Sequence, residues 1–386
     1  MKYFSLAHVS AGFVAVLVGY TSAATLIYQA AAAGGASPDQ IGSWLWALGI
    51  GMGLCGISLS LYYREPIMIA WSTPGAALLI TSLSGVALSD AIGAFIASSA
   101  LIVLCGVTGW FDHLMRYIPK NLAAAMLAGV LLRFGLAIFP AFESEALLVG
   151  LMVLAYLALK IWFPRLTIPF TFGVGIVVAA LQGNIGGITF DIELTNPVWV
   201  SPTFDLSVVI GVGLPLFIVT MASQNLPGIA VLRAHGYETP ASPLISWTGF
   251  FGLVLAPFGG FAFNIAAITA SLCMGQDVDL DKNRCYLAAI WGGLFFILAG
   301  LFGGVVAGLL GVFPIALIST IAGLALLGTI GNSLKMALED TQSNEAAIIT
   351  FVITGSGGTF LTIGSPFWGL IVGLVVYHLL KYKSKN

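Results

Sequence analysis

Apolar residues run through this chain in stretches that are hydrophobic on every face, separated by short polar connections. The stretches fall near residues 8–31, 40–62, 66–84, 89–111, 119–140, 144–163 and 168–182. After a polar connection from Gln182 to Pro202 they resume near 205–231, 242–256, 257–274, 285–310, 313–334, 345–357 and 359–380. Runs that are apolar all round read as membrane-spanning helices, which need about 20 residues when complete. Several runs are shorter, so their boundaries are soft. Fourteen segments make two sets of seven, and because seven is odd the second set enters the membrane in the opposite orientation. The pattern therefore predicts an all-α polytopic membrane protein built as a 7+7 inverted repeat, residues 1–200 and 201–386.

Composition agrees. Of 386 residues 59% are hydrophobic and 8% charged, with a mean hydropathy of +1.02, which excludes a soluble globular domain. The first run continues from Val9 to Ala33, longer than a signal-peptide core and without a cleavage site, so it is expected as a retained helix in a chain that begins near Met1. With Met1 on the cytoplasmic side, Lys2, Arg64, Arg116, Lys120, Lys160, Arg165, Arg233, Lys282, Arg284, Lys335, Lys381, Lys383 and Lys385 all fall inside. That is thirteen of fourteen Lys and Arg residues, the bias the positive-inside rule demands. Asp39, Asp90, Glu143, Glu145, Asp191, Glu193 and Asp205 fall outside, and both termini are expected in the cytoplasm.

Two segments break the helical pattern alike, each the third of its half. One runs from Ile67 through Trp71-Ser72-Thr73-Pro74-Gly75 to Ala77, the other from Pro257-Phe258-Gly259-Gly260 through Phe261, Phe263 and Asn264 to Ala267. Each passes from an apolar, strand-like stretch into a capping residue: Ser72 or Thr73 in the first, with Pro74 in the first turn, and Asn264 in the second. The helices expected after them, Pro74 to Gly85 and Ile265 to Gln276, are roughly 16 Å long, about half a bilayer core. Their starts would then meet near the midplane across a shared cavity. Two such positive helix ends form an anion site, each worth up to about 2 kcal/mol when partly buried. The competing reading is a pair of ordinary Pro/Gly kinks. The dipoles select negative charge without choosing among carboxylate, inorganic anion and oxygen-rich ring.

Other polar residues lie at depth. Tyr20, Thr21 and Ser22 sit mid-way along the first segment, and Ser223, Gln224 and Asn225 precede Pro227-Gly228 in the eighth. Such neutral groups bind a ligand or bond neighbouring helices. Phe261 and Phe263 alternate before Asn264, so an extended backbone would aim at least one at the cavity as a wall for an aromatic acid. No acid or histidine lies deep in any span: His8, Glu65, Asp90, Asp112, His113 and His378 are near the surfaces, and no proton carrier is evident. Arg133, toward the outer end of the fifth segment, reads as structural. Cys55, Cys105, Cys273 and Cys285 lack metal-ligand spacing. Asp277, Asp279 and Asp281 have calcium-like spacing without the loop glycine or terminal glutamate of an EF-hand, and read as a solvated turn. No phosphate loop or catalytic triad is present, so neither an enzyme nor a cofactor is expected.

The stretches Trp71–Ala76, Thr220–Gly228, Pro257–Gly260 and Asn264–Thr269 together resemble the benzoate:proton symporter family, BenE, over essentially the full chain. That family is similar in fold to the nucleobase, sulfate and bicarbonate transporters. The resemblance implies fourteen spans, with short strands and half-helices in segments 3 and 10. It also implies a core body, 1–118 with 203–310, and a gate body, 119–202 with 311–386. In nucleobase transporters an acid commonly precedes the asparagine of the second break, where this chain has Phe263. A second acid is usual in span eight, where this chain offers Ser223, Gln224 and Asn225. Those departures argue against nucleobases and suit a negatively charged aromatic substrate.

The resulting expectation is a multi-pass transporter of the bacterial inner membrane. It would import benzoate or a related aromatic carboxylate with a proton, the coupling ion being taken from the resemblance. Ser72, Thr73, Gly75, Asn264, Ile265 and Ala266 would present caps or backbone N–H groups to the carboxylate. Phe263 would contact the ring; Gln224 and Asn225, with Tyr20 and Thr21, would orient the substrate or bind coupling water. Beyond substrate, proton and lipid bilayer, the partner left open is a second copy in a homodimer; nucleic acid is not expected. The rivals are an uncoupled anion channel or uniporter, a transporter of another organic anion or a nucleobase, and a scaffolding protein whose breaks are only kinks.

Overall fold

The computed structural model describes residues 5–111, 119–163, 167–185, 193–274, 278–360 and 363–383. Lys2, Asp112, His113, Arg116, Arg165, Asp191, Gln276, Asp277 and Lys385 lie outside them, as do the side chains of Thr21 and Ser22.

Helices fall on the apolar runs. Helix α1 (Leu6–Ala33) and helix α2 (Pro38–Tyr63) lead into strand β1 (Ile69–Trp71), helix α3 (Thr73–Ser82) and helix α4 (Leu88–Thr108). Then come α5 (Lys120–Leu136), the short α6 (Ile138–Ser144), α7 (Ala146–Trp162) and α8 (Thr167–Leu181). The pieces Leu206–Val208, Val209–Gly213, Leu214–Thr220, Met221–Asn225 and Leu226–Ala234 follow one another without interruption and form α9. Helix α10 (Ala241–Leu255) ends in the 3-10 turn Ala256–Phe258, followed by strand β2 (Phe263–Ile265) and a single turn, α11 (Ile268–Ser271). The chain closes with α12 (Tyr286–Leu301), α13 (Gly303–Val312), α14 (Ile315–Ala337), α15 (Asn344–Ser356), a hairpin of β3 (Thr359–Phe360) and β4 (Ile363–Gly364), and α16 (Ser365–Lys383).

Among the described residues seven helices are long and apolar enough to cross a membrane, starting at Pro38, Leu88, Lys120, Leu206, Ala241, Lys282 and Ile315. Large apolar side chains such as Leu54, Leu61, Leu154, Phe250 and Leu298 face outward, a surface suited to lipid and not to water. The run over 285–310, expected as one helix, is two, α12 and α13, meeting at Phe302. The glycine-rich stretch around the joint lets the backbone close on α2, where a Cβ at Gly303 would lie 2.8 Å from the Gly42 carbonyl oxygen.

Packing follows the small residues. Helix α2 lies on α12, and α4 lies on α10. A Cβ at Gly49 would sit 2.6 Å from Gly300 Cα, and one at Gly249 would sit 2.7 Å from the Val103 nitrogen. Small residues at such crossings let helix backbones meet where lipid supplies no hydrophobic drive. A second group joins α5 to α14, α15 to α5 and α16, and α7 to α8. Helix α1 runs between the groups, touching α3 and α12 on one side, α8 and α14 on the other. Within α9 the turns Val209–Gly213 and Met221–Asn225 are widened to π geometry, each just before a proline, Pro215 and Pro227. Proline removes an N–H from the ladder and crowds the preceding turn, which accounts for the widening.

Candidate functional site

The first break forms as its sequence predicts. Ile69–Trp71 are extended, Ser72 stays extended (φ −78, ψ 98), and α3 starts at Thr73 with Pro74 in its first turn. Ser72, fully buried, is the cap: its Oγ accepts the Gly75 N–H at 3.0 Å. Pro74 has no N–H and Gly75 has spent its own, so Thr73 carries the first-turn donor left without an intrahelical acceptor. Helix α3 has 10 residues, roughly 15 Å, so its start lies about half a bilayer core from its far end.

The two breaks meet. Strands β1 and β2 pair antiparallel in the register Ile69 with Ile265, Ala70 with Asn264 and Trp71 with Phe263. The ladder continues through an Ala266 N–H to Met68 carbonyl bond of 2.9 Å. Helix α3 therefore leaves the ribbon from its Trp71 end, and α11 from beyond its Ile69–Ile265 end.

The second break departs from expectation. Asn264 is a strand residue and does not cap a helix; pairing through Ala266 keeps the backbone extended, and α11 begins only at Ile268 with Ala267 as an uncapped start. Its regular helix is four residues long, not the eleven expected from Ile265 to Gln276. The Asn264 Nδ2 instead donates to the Ala262 carbonyl at 3.1 Å, bracing a residue held at φ 47. The N–H groups of Ile265 and Ala266 are likewise spoken for, by Asn225 Oδ1 at 3.0 Å and by Met68. Neither they nor Gly75 has a backbone N–H to spare for a ligand.

Side chains depart too. The Phe263 ring, 1% exposed, turns into the α2–α10 packing, where a Cβ at Gly51 would lie 2.4 Å from its Cζ. Phe261 points into the same body, 5.3 Å from Phe95 and 5.8 Å from Trp44 between ring centroids. No aromatic wall from this stretch faces a ligand. Trp71 and Tyr20 supply the nearest aromatic pair at the first break, 5.0 Å apart. Asn225 is fully buried with both ends engaged, Oδ1 by Ile265 and Nδ2 by the Met221 sulfur at 3.2 Å, whereas Gln224 beside it is half-buried. Thr21 lies on α1, its side chain outside the described residues.

Asn264 Oδ1 in the ribbon, Tyr20 Oη on the ring that meets Trp71, and Thr269 Oγ1 just past the second break are buried without a hydrogen-bond partner among the described residues, as is Thr220 Oγ1 in α9. Buried polar atoms are nearly always satisfied, so such a group marks where a ligand or water is held. Thr269 stands close to α1, its Cγ2 3.2 Å from where a Gly19 Cβ would be. Thr220 and Thr269 are the residues that sequence reasoning did not single out. Their signal is faint, a hydroxyl within a few residues of a break. The arrangement can take hydrogen bonds and offers a helix start, and none of the residues named around it is charged. Among the described residues no three His, Cys, Asp or Glu side chains gather to hold a metal.

The whole chain has known relatives. The family model described as Benzoate membrane transport protein, BenE, matches residues 2–379. The chain is 49% identical over 372 residues to Inner membrane protein YdcO of Escherichia coli (strain K12), covering 96% of this chain and 95% of that relative. It is 38% identical over 376 residues to Benzoate membrane transport protein of Acinetobacter baylyi, covering 97% and 95%. Among solved structures it resembles the transmembrane domain of a cyanobacterium bicarbonate transporter, BicA, at a TM-score of 0.60 and 14% identity, covering 96% of each chain, a likeness of fold alone. These relatives are named as membrane and transport proteins, not enzymes, and the chain itself belongs to the BenE family of membrane transporters.

Proposed function

We propose that the chain imports benzoate or a related aromatic carboxylate across the bacterial inner membrane together with a proton, by alternating access. The observation that carries this reading is the buried β1–β2 ribbon, with the capped start of α3 at one end and unpartnered polar atoms around it. The carboxylate would take hydrogen bonds from the Thr73 N–H and from the Tyr20 and Thr269 hydroxyls. The ring would lie against Trp71, and Gln224 would orient it. A site free of acids favours an anion over a cationic or acid-recognised ligand. The relative from Acinetobacter baylyi, named for benzoate, supports the substrate.

The wider architecture belongs to the same proposal: fourteen passes, a 7+7 inverted repeat and both termini cytoplasmic. A core body of 1–118 and 203–310 would move against a gate body of 119–202 and 311–386. The paired packing of α2 on α12 and α4 on α10 supports the repeat, since exchanging each segment for the one seven places on turns one contact into the other. An uncoupled anion pathway is the second reading, favoured by the lack of charged side chains among the residues around the ribbon.

The first test is thermal stability of purified protein against benzoate, substituted benzoates, aliphatic carboxylates, uracil, xanthine and sulfate. A ligand at 100 times its dissociation constant adds about 2.7 kcal/mol. Stabilisation by benzoate alone of these classes supports the substrate; stabilisation only by another class overturns it. Benzoate-driven acidification of proteoliposomes beyond that of protein-free vesicles then separates symport from uncoupled flow.

A further inference from the structure

We infer that residues 195–203 form a strap that holds the inlet of the second break, Pro257 and Phe258, with Ser43 of α2 as the positioning residue at its centre. Pro197 and Pro202 keep this segment out of any helix, since proline restrains both itself and the residue before it. Both ends are tied to other elements. The Thr195 N–H donates to the Leu301 carbonyl at 2.8 Å and its Oγ1 accepts the Gly304 N–H at 2.7 Å, at the joint of α12 and α13. At the other end the Thr203 N–H donates to the Ser89 carbonyl at 3.0 Å, and its hydroxyl to Asp90 Oδ1 at 2.6 Å, in the first turn of α4. A Cβ at Gly93 would lie 1.9 Å from the Thr203 carbonyl oxygen, so the strap rests directly on α4.

The middle of the strap meets the inlet. Helix α10 ends in the turn Ala256–Phe258, closed by Gly259 at φ 92. A helix end leaves its last carbonyls without intrahelical donors, and here the donors come from outside. The Val200 N–H reaches the Pro257 carbonyl at 2.8 Å. Ser43 is 1% exposed; its hydroxyl accepts the Val198 N–H at 2.9 Å and donates to the Phe258 carbonyl at 3.0 Å, nearer than the Val198 carbonyl at 3.4 Å. The Trp199 ring stands edge-on to the Phe258 ring, 5.4 Å between centroids. One serine thus joins α2, strap and inlet.

The hold matters because the backbone beyond it is left-handed at two points. Between Phe258 and β2 the chain passes Gly259, where a Cβ would lie 1.8 Å from Trp44 Cδ1, and Ala262 at φ 47. A residue other than glycine stays in that region only where its surroundings over-determine it. Asn264 braces Ala262 from one side, while Ser43 and the strap fix the inlet on the other. Loosening the inlet lets Ala262 relax and shifts β2 against β1, and with it the unpartnered Asn264 Oδ1. Ser43 therefore acts on the ribbon through the backbone without touching a ligand; only the consequence for binding rests on the proposed transport site.

Backbone hydrogen exchange of the purified full chain tests it, wild type against Ser43→Ala. Residues 196–203 and 257–263 are expected to exchange at least about fivefold faster in the variant, the scale of one buried hydrogen bond, while α5 and α14 stay within about twofold. No acceleration at 257–263, or an equal acceleration in α5 and α14, overturns the strap. Binding is read separately, from the benzoate concentration that half-saturates the thermal shift, which should rise at least about threefold in Ser43→Ala, the effect of a shift of β2 on a hydrogen-bonded ligand. An unchanged value in a protein whose wild type responds overturns the positioning role. A wild type that ignores benzoate refutes the substrate instead, and the exchange result alone decides the strap. Should Ser43→Ala fail to fold, Val200→Pro deletes the N–H given to Pro257 and carries the comparison at 257–263. Failure of both to fold assigns the strap to folding alone and overturns the positioning.

Discussion

Replacing Asn225 with alanine separates a tether from a ligand contact. The Asn225 amide is fully buried, and its Oδ1 accepts the N–H of Ile265, the last residue of β2, at 3.0 Å. Removing it forfeits a hydrogen bond worth about 1 kcal/mol net and strands a buried donor at a further 1–3 kcal/mol or so. A water admitted to the vacated space recovers part, so about 2 kcal/mol is the expected loss, a fall in melting temperature of roughly 2–3 °C for a chain of this size. The assay is thermal unfolding of purified protein with and without benzoate, with Gln224→Ala alongside. Gln224 is half-buried, and its truncation should leave stability within about 0.5 kcal/mol while weakening the response to ligand. If Asn225→Ala melts with the wild type yet ignores benzoate, the tether is wrong and Asn225 belongs to the ligand.

Gly49→Val drives its new side chain into Gly300 Cα and the Phe296 carbonyl, 2.6 and 2.7 Å from the Cβ position. It should cost at least about 3 kcal/mol in unfolding free energy, whereas Gly308→Val, with nothing within 4 Å, should not. Ser72→Ala strips the cap from Gly75 N–H and should lower the melting point by the equivalent of about 1 kcal/mol, restored in part by Ser72→Thr. At the start of α9, the Ser207 hydroxyl and the Val208 and Ser207 N–H groups hold the Asp205 carboxyl below its ordinary pKa. A depressed carboxyl stabilises the fold above its unfolded value of 3.8 and loses that effect as pH falls through its lower folded value. The melting-point gap between wild type and Asp205→Asn should therefore close below about pH 4.

Local signals were legible where local chemistry decides. Ser72 before Pro74 reads as a capped helix start, and it is one, because cap and donor lie three residues apart. Asn264 reads the same way and is not, because its conformation is set by Ala70, a residue in the other half of the chain. An asparagine after extended residues cannot reveal that a strand partner will carry the ladder on to Ala266. Phe263 fails for a related reason: alternation shows that Phe261 and Phe263 share a face, and which face meets α2 is decided by Gly51. Gln224 and Asn225 are equivalent neighbours in sequence, and the widened turn Met221–Asn225 aims only the second at β2. His8 sits near the surface by position, as expected, yet is buried by a loop some 270 residues away.

The ribbon between the breaks also bears on how the chain is made. Phe263 follows its partner Trp71 by 192 residues, an interval of about 10–40 s at ordinary rates of synthesis. During that time Ile69–Trp71 has backbone groups with no strand to pair with, and hydrocarbon offers them nothing. The emerging chain must therefore be shielded at this point, by water or by the insertion machinery, until β2 has been made. Each half brings its own set of apolar runs, but neither, synthesised alone, can finish its broken segment.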